Sequence, residues 1–205
     1  MTVEAIFFDF GGVLLKHADG IDHKAIEAQF DLPERTLFNC LYRDSRYKDF
    51  FVGACTEQEW IDSIRAAAEK LIGDKAPPVL KALREAKSDL NPDMIALMER
   101  MHGRYKLGII SNTTPGFEER LQTQFPQLLD LTSVRVGSGD LKIAKPNPEI
   151  FHHAAKEMGV ALESSVFTDD TASYAIAASD LGMHGIHFTG YEDFVISLDG
   201  IGVEW

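Results

Sequence analysis

Four short segments carry the side chains from which a reaction centre could be assembled. Asp9 ends the apolar run Ala5-Ile6-Phe7-Phe8 and is followed by Phe10-Gly11-Gly12. Ser111-Asn112 closes the run Ile109-Ile110, Lys145 stands ahead of Pro146 where a helical pattern opens, and Asp169-Asp170 follows Val166-Phe167-Thr168. A strand-terminal carboxylate can attack phosphorus and split a hydrolysis into two easier steps. Adjacent acids supply the oxygen donors that magnesium takes together with substrate phosphate and water. A hydroxyl and backbone N–H groups just before a helix suit phosphate oxygens. A lysine adds a point positive charge that shields a carboxylate from an incoming dianion. Each segment alone has a plainer meaning. Strand-ending acids cap turns and helices, Ser-Asn is a common turn, and single lysines are mostly solvated. The conjunction, in this order, implies metal-dependent phosphoryl transfer through an aspartate.

The elements around these segments explain how they could meet. After the first apolar run the chain reads as helix after helix from about Asp22 to Arg84. Thr56-Glu57-Gln58-Glu59 has the form of a capping box opening an amphipathic run, and Pro77-Pro78 suits a helical first turn. From Asn91 onward the pattern alternates. Helix Asp93–His102, strand Lys106–Ser111, helix Gly116–Phe125 and a short strand Val134–Gly137 come first. Helix Pro148–Met158, strand Ser165–Thr168, helix Ala172–Leu181 and strand Gly185–Phe188 follow, with Gly159 and Gly182 as helix stops. Alternating strands and helices predict an α/β fold, a Rossmann-like parallel sheet with helices on both faces. The intervening residues predict a small all-helical cap inserted after the first strand. The expected division is a core of residues 1–15 and 92–205 with a cap of 16–91. In a parallel sheet the ligand site lies outside the carboxyl ends of the strands, which is where the four segments fall.

Composition narrows the partners. A net charge of −12 without a basic run argues against nucleic acid and against an anionic membrane surface. No apolar stretch approaches a membrane span. The N-terminal run contains Glu4 and Asp9 and lacks a basic flank, so it reads as a strand instead of a signal peptide. Cys40 and Cys55, the two cysteines, have no metal-like spacing and suit free thiols in a reducing, cytoplasmic setting. Monomer and homodimer are equally compatible with the chain.

The segments Phe-Phe-Asp-Phe-Gly-Gly-Val-Leu (7–14), Ser111-Asn112, Lys145-Pro146-Asn147-Pro148-Glu149-Ile150-Phe151 and Phe167-Thr168-Asp169-Asp170 resemble the four ordered motifs of the haloacid dehalogenase superfamily. The resemblance spans nearly the whole chain, helical cap included, and is nearest in type to small sugar-phosphate phosphatases such as α-glucose-1-phosphate phosphatase. It implies Asp9 as nucleophile and metal ligand. It also implies the Gly11 carbonyl and Asp170 as further magnesium ligands, Asp169 as a supporting acid, and Ser111 and Lys145 on the phosphate. Two positions depart from the family pattern. Family phosphatases mostly place an acid/base aspartate two residues after the nucleophile, where this chain has Gly11. A positioned acid/base contributes roughly 10²–10⁴-fold, so His17 or His23 would have to substitute, or the leaving group must need little help. Tyr174 stands where related chains often carry asparagine.

Other polar features read as structure. His152-His153 are helix neighbours pointing apart, His184 and His187 flank a strand without a partner acid, and Gly137-Ser138-Gly139-Asp140 reads as a turn, not a nucleotide loop. In the cap segment Arg46-Tyr47-Lys48-Asp49-Phe50-Phe51, Phe50 and Phe51 are expected in the core. The expectation is a magnesium-dependent phosphomonoesterase for a small phosphorylated metabolite, a sugar phosphate by family type. Two rival expectations are a carbon–halogen hydrolase using the same aspartate, and a binding or regulatory protein silenced at Gly11.

Overall fold

The computed structural model describes residues 2–17, 21–87 and 89–205. Five strands, β1 (Ala5–Phe8), β2 (Lys106–Ser111), β3 (Val134–Gly137), β4 (Ser165–Asp169) and β5 (His184–His187), form one parallel sheet in the order β3-β2-β1-β4-β5. Between β1 and β2 come α1 (His23–Gln29), α2 (Thr36–Phe38), α3 (Tyr47–Phe51), α4 (Glu57–Ile72), α5 (Ala76–Glu85) and α6 (Pro92–Met101). The remaining helices are α7 (Phe117–Gln124), α8 (Gln127–Leu131), α9 (Ser138–Leu141), α10 (Pro148–Met158), α11 (Ala172–Asp180) and α12 (Tyr191–Gly200).

Strand β1 is buried along its whole length, as a central parallel strand covered on both faces must be. Its side chains alternate between two cores. Ile6 and Phe8 pack with Met94, Leu97 and Met98 of α6, with Leu121 of α7 and with Phe194 and Leu198 of α12. Ala5 and Phe7 face Ile150, Phe151 and Ala154 of α10 and Ala178 of α11. The period of two therefore sets which helices cover which face. Gly108 of β2 allows this packing, since a Cβ there would lie 2.8 Å from both Phe7 and Met158.

The inserted helices have small cores of their own, one of Ile26, Leu37, Val79 and Leu83 and another of Cys40, Ala68 and Ala76. The buried Glu27 holds this unit together by accepting hydrogen bonds from Arg35 N at 3.1 Å and Leu37 N at 2.8 Å. The capping box forms as expected, with Thr56 N donating to Glu59 Oε2 at 2.8 Å and Glu59 N to Thr56 Oγ1 at 3.3 Å. The outgoing and returning chains are tied together. Lys16 N donates to Asp89 O at 3.1 Å, Asn91 N donates to Leu14 O at 2.8 Å, and Leu15 and Leu90 form an antiparallel bridge.

Three local readings change. Helices α8 and α12 fall in stretches where the pattern alone suggested none. Residues 138–141 form the short helix α9 instead of a plain turn, and Asp140 within it accepts hydrogen bonds from Gly116 N at 2.7 Å and Phe117 N at 3.0 Å and so caps α7. His184 and His187 lie within β5 as its end residues. Among the described residues no helix is long and apolar enough to cross a membrane.

Candidate active site

Parallel strands all finish at one edge of the sheet, so β1, β2 and β4 deliver their terminal residues to the same place. Phe8 pairs in register with Ile109 on one side and Thr168 on the other, which sets Asp9 level with Ile110 and Asp169. This is also the switch point of the topology, because successive strands are added on one side of β1 up to β3 and on the other from β4. A crevice at such a point is the usual ligand site of an open α/β sheet.

Lys145 is the hub. Its side chain is buried, and Nζ lies 2.8 Å from Asp9 Oδ1, 2.5 Å from Asp169 Oδ2 and 2.9 Å from the Ile110 carbonyl. An ammonium has three hydrogens, and these three acceptors engage all of them. Lys145 therefore holds Asp9 and neutralises it, and it keeps no spare donor for a phosphate oxygen in this arrangement. Asp9 Oδ1 also accepts from Phe10 N at 2.7 Å, so both of these contacts fall on one carboxylate oxygen. Asp169 is similarly tied, with its Oδ1 accepting from Thr171 N at 2.8 Å.

The expected site residues take distinct positions. Asp9, Asp169 and Asp170 each bring an oxygen within 4.8 Å of the others. Gly12 makes room for this, with φ +75° and an imagined Cβ only 2.2 Å from Asp170 Oδ2. Ser111 is buried at the end of β2 and, with Asn112 and Gly11, lines a cavity between the sheet edge and the inserted helices. The Asn112 amide is engaged elsewhere. Its Oδ1 accepts from Lys145 N at 2.8 Å and its Nδ2 donates to Lys145 O at 3.0 Å, a two-bond clamp on the lysine's own backbone. His17 is exposed and its carbonyl accepts from Gly12 N, whereas His23 lies against Tyr42 with ring centroids 6.0 Å apart.

The electrostatics follow from burial. Desolvation pushes Asp9 up from 3.8 to about 6, opposed by the Lys145 charge and aided by that of Asp169. Burial also raises Asp169 and Asp170 above the ordinary carboxylate range. Lys145 is disfavoured as a cation by burial, but Asp9 and Asp169 outweigh this and raise its pKa. Three acids thus surround one fixed cation, a donor set with the charge and the hard oxygens that a divalent ion requires.

Two neighbours were named in the sequence without a place at the site. His187 Nε2 meets the Asp170 carbonyl at 3.1 Å, because β5 places it level with Asp169. Tyr174 sits with its hydroxyl 3.4 Å from Asn112 Nδ2 and its ring 5.4 Å from Lys145 Nζ. Strand pairing could have flagged His187; Tyr174 was marked in the sequence as a departure from the family pattern, but its place beside Asn112 and Lys145 was not legible there.

Fold and site together define a Rossmann-like parallel α/β protein with a strand-end aspartate, a buried lysine and an acidic pair at its switch point. The chain belongs to the haloacid dehalogenase-like hydrolases, whose family model matches residues 3–182. It is 28% identical over 199 residues to phosphatase MT3486 of Mycobacterium tuberculosis (strain CDC 1551 / Oshkosh), covering 89% of this chain and 86% of that one. It is 22% identical over 190 residues to the sesquiterpene phosphatase astK of Aspergillus oryzae (strain ATCC 42149 / RIB 40), covering 92% and 91%. Among solved structures, the magnesium complex of the family enzyme bt-2542 from Bacteroides thetaiotaomicron superposes with a TM-score of 0.66 at 23% identity, covering 89% of this chain and 91% of that one.

Proposed function

We propose that this protein is a magnesium-dependent phosphomonoesterase working through an aspartyl-phosphate on Asp9. The observation that carries the reading is the junction of three carboxylates and one fully engaged lysine at the sheet's switch point. Two curated relatives named as phosphatases, and the magnesium complex of the bt-2542 enzyme, support it.

With Oδ1 held by Lys145 and Phe10 N, Oδ2 of Asp9 is the oxygen left to attack phosphorus. The attack forms the Asp9–phosphorus bond and breaks the bond to the ester oxygen, which departs with its electron pair and takes a proton from water, since position 11 carries no acid. Water then attacks the acyl phosphate and releases inorganic phosphate and the Asp9 carboxylate. Magnesium, held by Asp9, Asp170 and the Gly11 carbonyl, would supply the divalent charge that screens the dianionic ester from Asp9. Asp169 keeps Lys145 in place, and Asn112 fixes the backbone that carries it. Ser111 and the backbone N–H groups after it would receive phosphate oxygens. Residues 16–91 would form the cap over this edge.

Release of inorganic phosphate from p-nitrophenyl phosphate in the presence of magnesium is the direct test. Activity should vanish with a chelator and in Asp9→Asn. More than a few per cent of activity left in that variant would remove Asp9 from the role. Halide release from 2-haloacids in a chelator would move the protein to the carbon–halogen branch of the family.

A further inference from the structure

We infer that the alcohol this phosphatase releases is apolar, an aromatic, alicyclic or branched-alkyl group, and that it is held in the cavity between core and inserted helices. The inference rests on the phosphomonoesterase reading above. It departs from the sugar phosphate that the family type suggested.

The cavity measures about 380 Å³ and begins at Gly11, Ser111 and Asn112, the residues around the reacting carboxylate. A group bonded to a phosphate on Asp9 has room to project into it. At about 30 Å³ per water, the space equals roughly a dozen waters, or an alcohol of similar heavy-atom count. Its walls are largely aromatic and aliphatic. On the core side Phe10 packs edge-on against Phe117 at 5.4 Å and Phe125 at 5.5 Å. On the cap side Tyr47 and Phe51 meet at 4.1 Å, and Trp60 completes the surface. Such rings offer large contact area and few hydrogen-bond partners.

Two of the larger polar side chains on these walls, Arg120 and Asn112, are engaged already, while Trp60 Nε1 is buried with no hydrogen-bond partner among the described residues. Arg120 is the one charged side chain among the described lining residues. Its guanidinium donates to the carbonyls of Pro115 and Thr114 and to Thr113 Oγ1. The Asn112 amide is bound at both ends to the Lys145 backbone. No carboxylate, lysine or histidine occurs among the described lining residues. A sugar carries several hydroxyls, and each one desolvated without a partner weakens binding. An apolar group loses nothing there and gains the burial. Each methylene that enters should tighten binding about fourfold.

The test uses n-alkylphosphonates, methyl to hexyl, as inhibitors of acetyl phosphate hydrolysis by the full-length magnesium-loaded protein. The inhibition constant should fall about fourfold per methylene, by up to ~10³ across the series, until the cavity fills. In parallel, kcat/KM is measured for hexyl, cyclohexylmethyl, glycerol 3- and glucose 6-phosphates, all esters of primary alcohols. The apolar esters should exceed the polyol esters by about 100-fold or more. In Phe51→Ser, the ratio of kcat/KM on cyclohexylmethyl phosphate to that on acetyl phosphate should drop about tenfold or more. Glucose 6-phosphate equalling the apolar esters, or a flat phosphonate series, would overturn the apolar assignment while acetyl phosphate turnover kept the phosphatase reading intact. Failure to hydrolyse acetyl phosphate or p-nitrophenyl phosphate at all would overturn both.

Discussion

Replacing Asp9 by asparagine should make the metal-free protein more stable while removing its activity. Asp9 is buried, and its pKa in the folded chain stands at about 6 against an ordinary 3.8. Between those values the unfolded chain releases the proton and the folded chain keeps it. The folded state then binds more protons, so stability falls as pH rises from about 4 to 6 and stays reduced above that. The gap between 3.8 and about 6 corresponds to about 3 kcal/mol. This difference already includes the attraction of Lys145, which only partly offsets desolvation. Asparagine has nearly the shape of protonated aspartate and can still accept from Phe10 N. Its predicted gain at pH 7.5 is therefore that same ~3 kcal/mol, or roughly 6–12 °C in Tm for a chain of this length. Thermal unfolding of both proteins in a chelator, from pH 4 to 8, measures it. The two curves should converge at the acid end and separate as pH rises. Millimolar magnesium should then raise wild-type Tm and leave the variant nearly unmoved, since only the wild type keeps the third carboxylate. Equal melting temperatures at pH 7.5 without metal, or a less stable variant, would refute the electrostatic argument.

Asp170→Ala should weaken magnesium binding more than Asp169→Ala does, because both Asp169 oxygens are engaged by Lys145 and Thr171 N; calorimetry giving equal affinities in the two variants would reverse the assignment. Asn112→Ala removes two hydrogen bonds to the Lys145 backbone, and at about 1 kcal/mol each should lower kcat by roughly 10–30-fold. Magnesium affinity should barely change, and unaltered kcat would show that Lys145 needs no clamp. Gly11 has ordinary extended backbone (φ −73°, ψ 130°), so Gly11→Asp strains no backbone angle. It should speed alkyl esters more than aryl esters, by up to ~10²–10⁴-fold. A wild-type protein that already hydrolyses both equally fast has its acid elsewhere, and His23 beside Tyr42 is the first residue to replace.

The local sequence was enough to place the residues of the candidate site in order along the chain. Strands β2 and β3 and helix α10 follow directly from apolar runs, Pro at a helix start and Gly at its end. With the strands parallel, Asp9, Ser111 and Asp169 had to reach one edge, since each is the last or next residue of its strand. Alternation between strand and helix likewise determined the α/β class. Helices α8 and α12 were not legible, because α8 spans five residues and in α12 Val195 and Ile196 are split between core and surface with little periodicity. Hydrogen bonds between residues far apart in the chain were also beyond local pattern. Asn112 reads as a phosphate-side turn residue, yet it holds a lysine 33 residues away. Asp140 reads as part of a turn, yet it caps a helix that begins 23 residues earlier. The same holds for the cavity. Tyr47, Phe51 and Trp60 look like core aromatics in sequence, and which of their faces is left open depends on how the inserted helices settle over Phe10, Phe117 and Phe125. Chemistry that needs one residue at a strand end is written locally. The shape and polarity of the space above it come from packing between elements distant in the chain, and only the folded structure decides them.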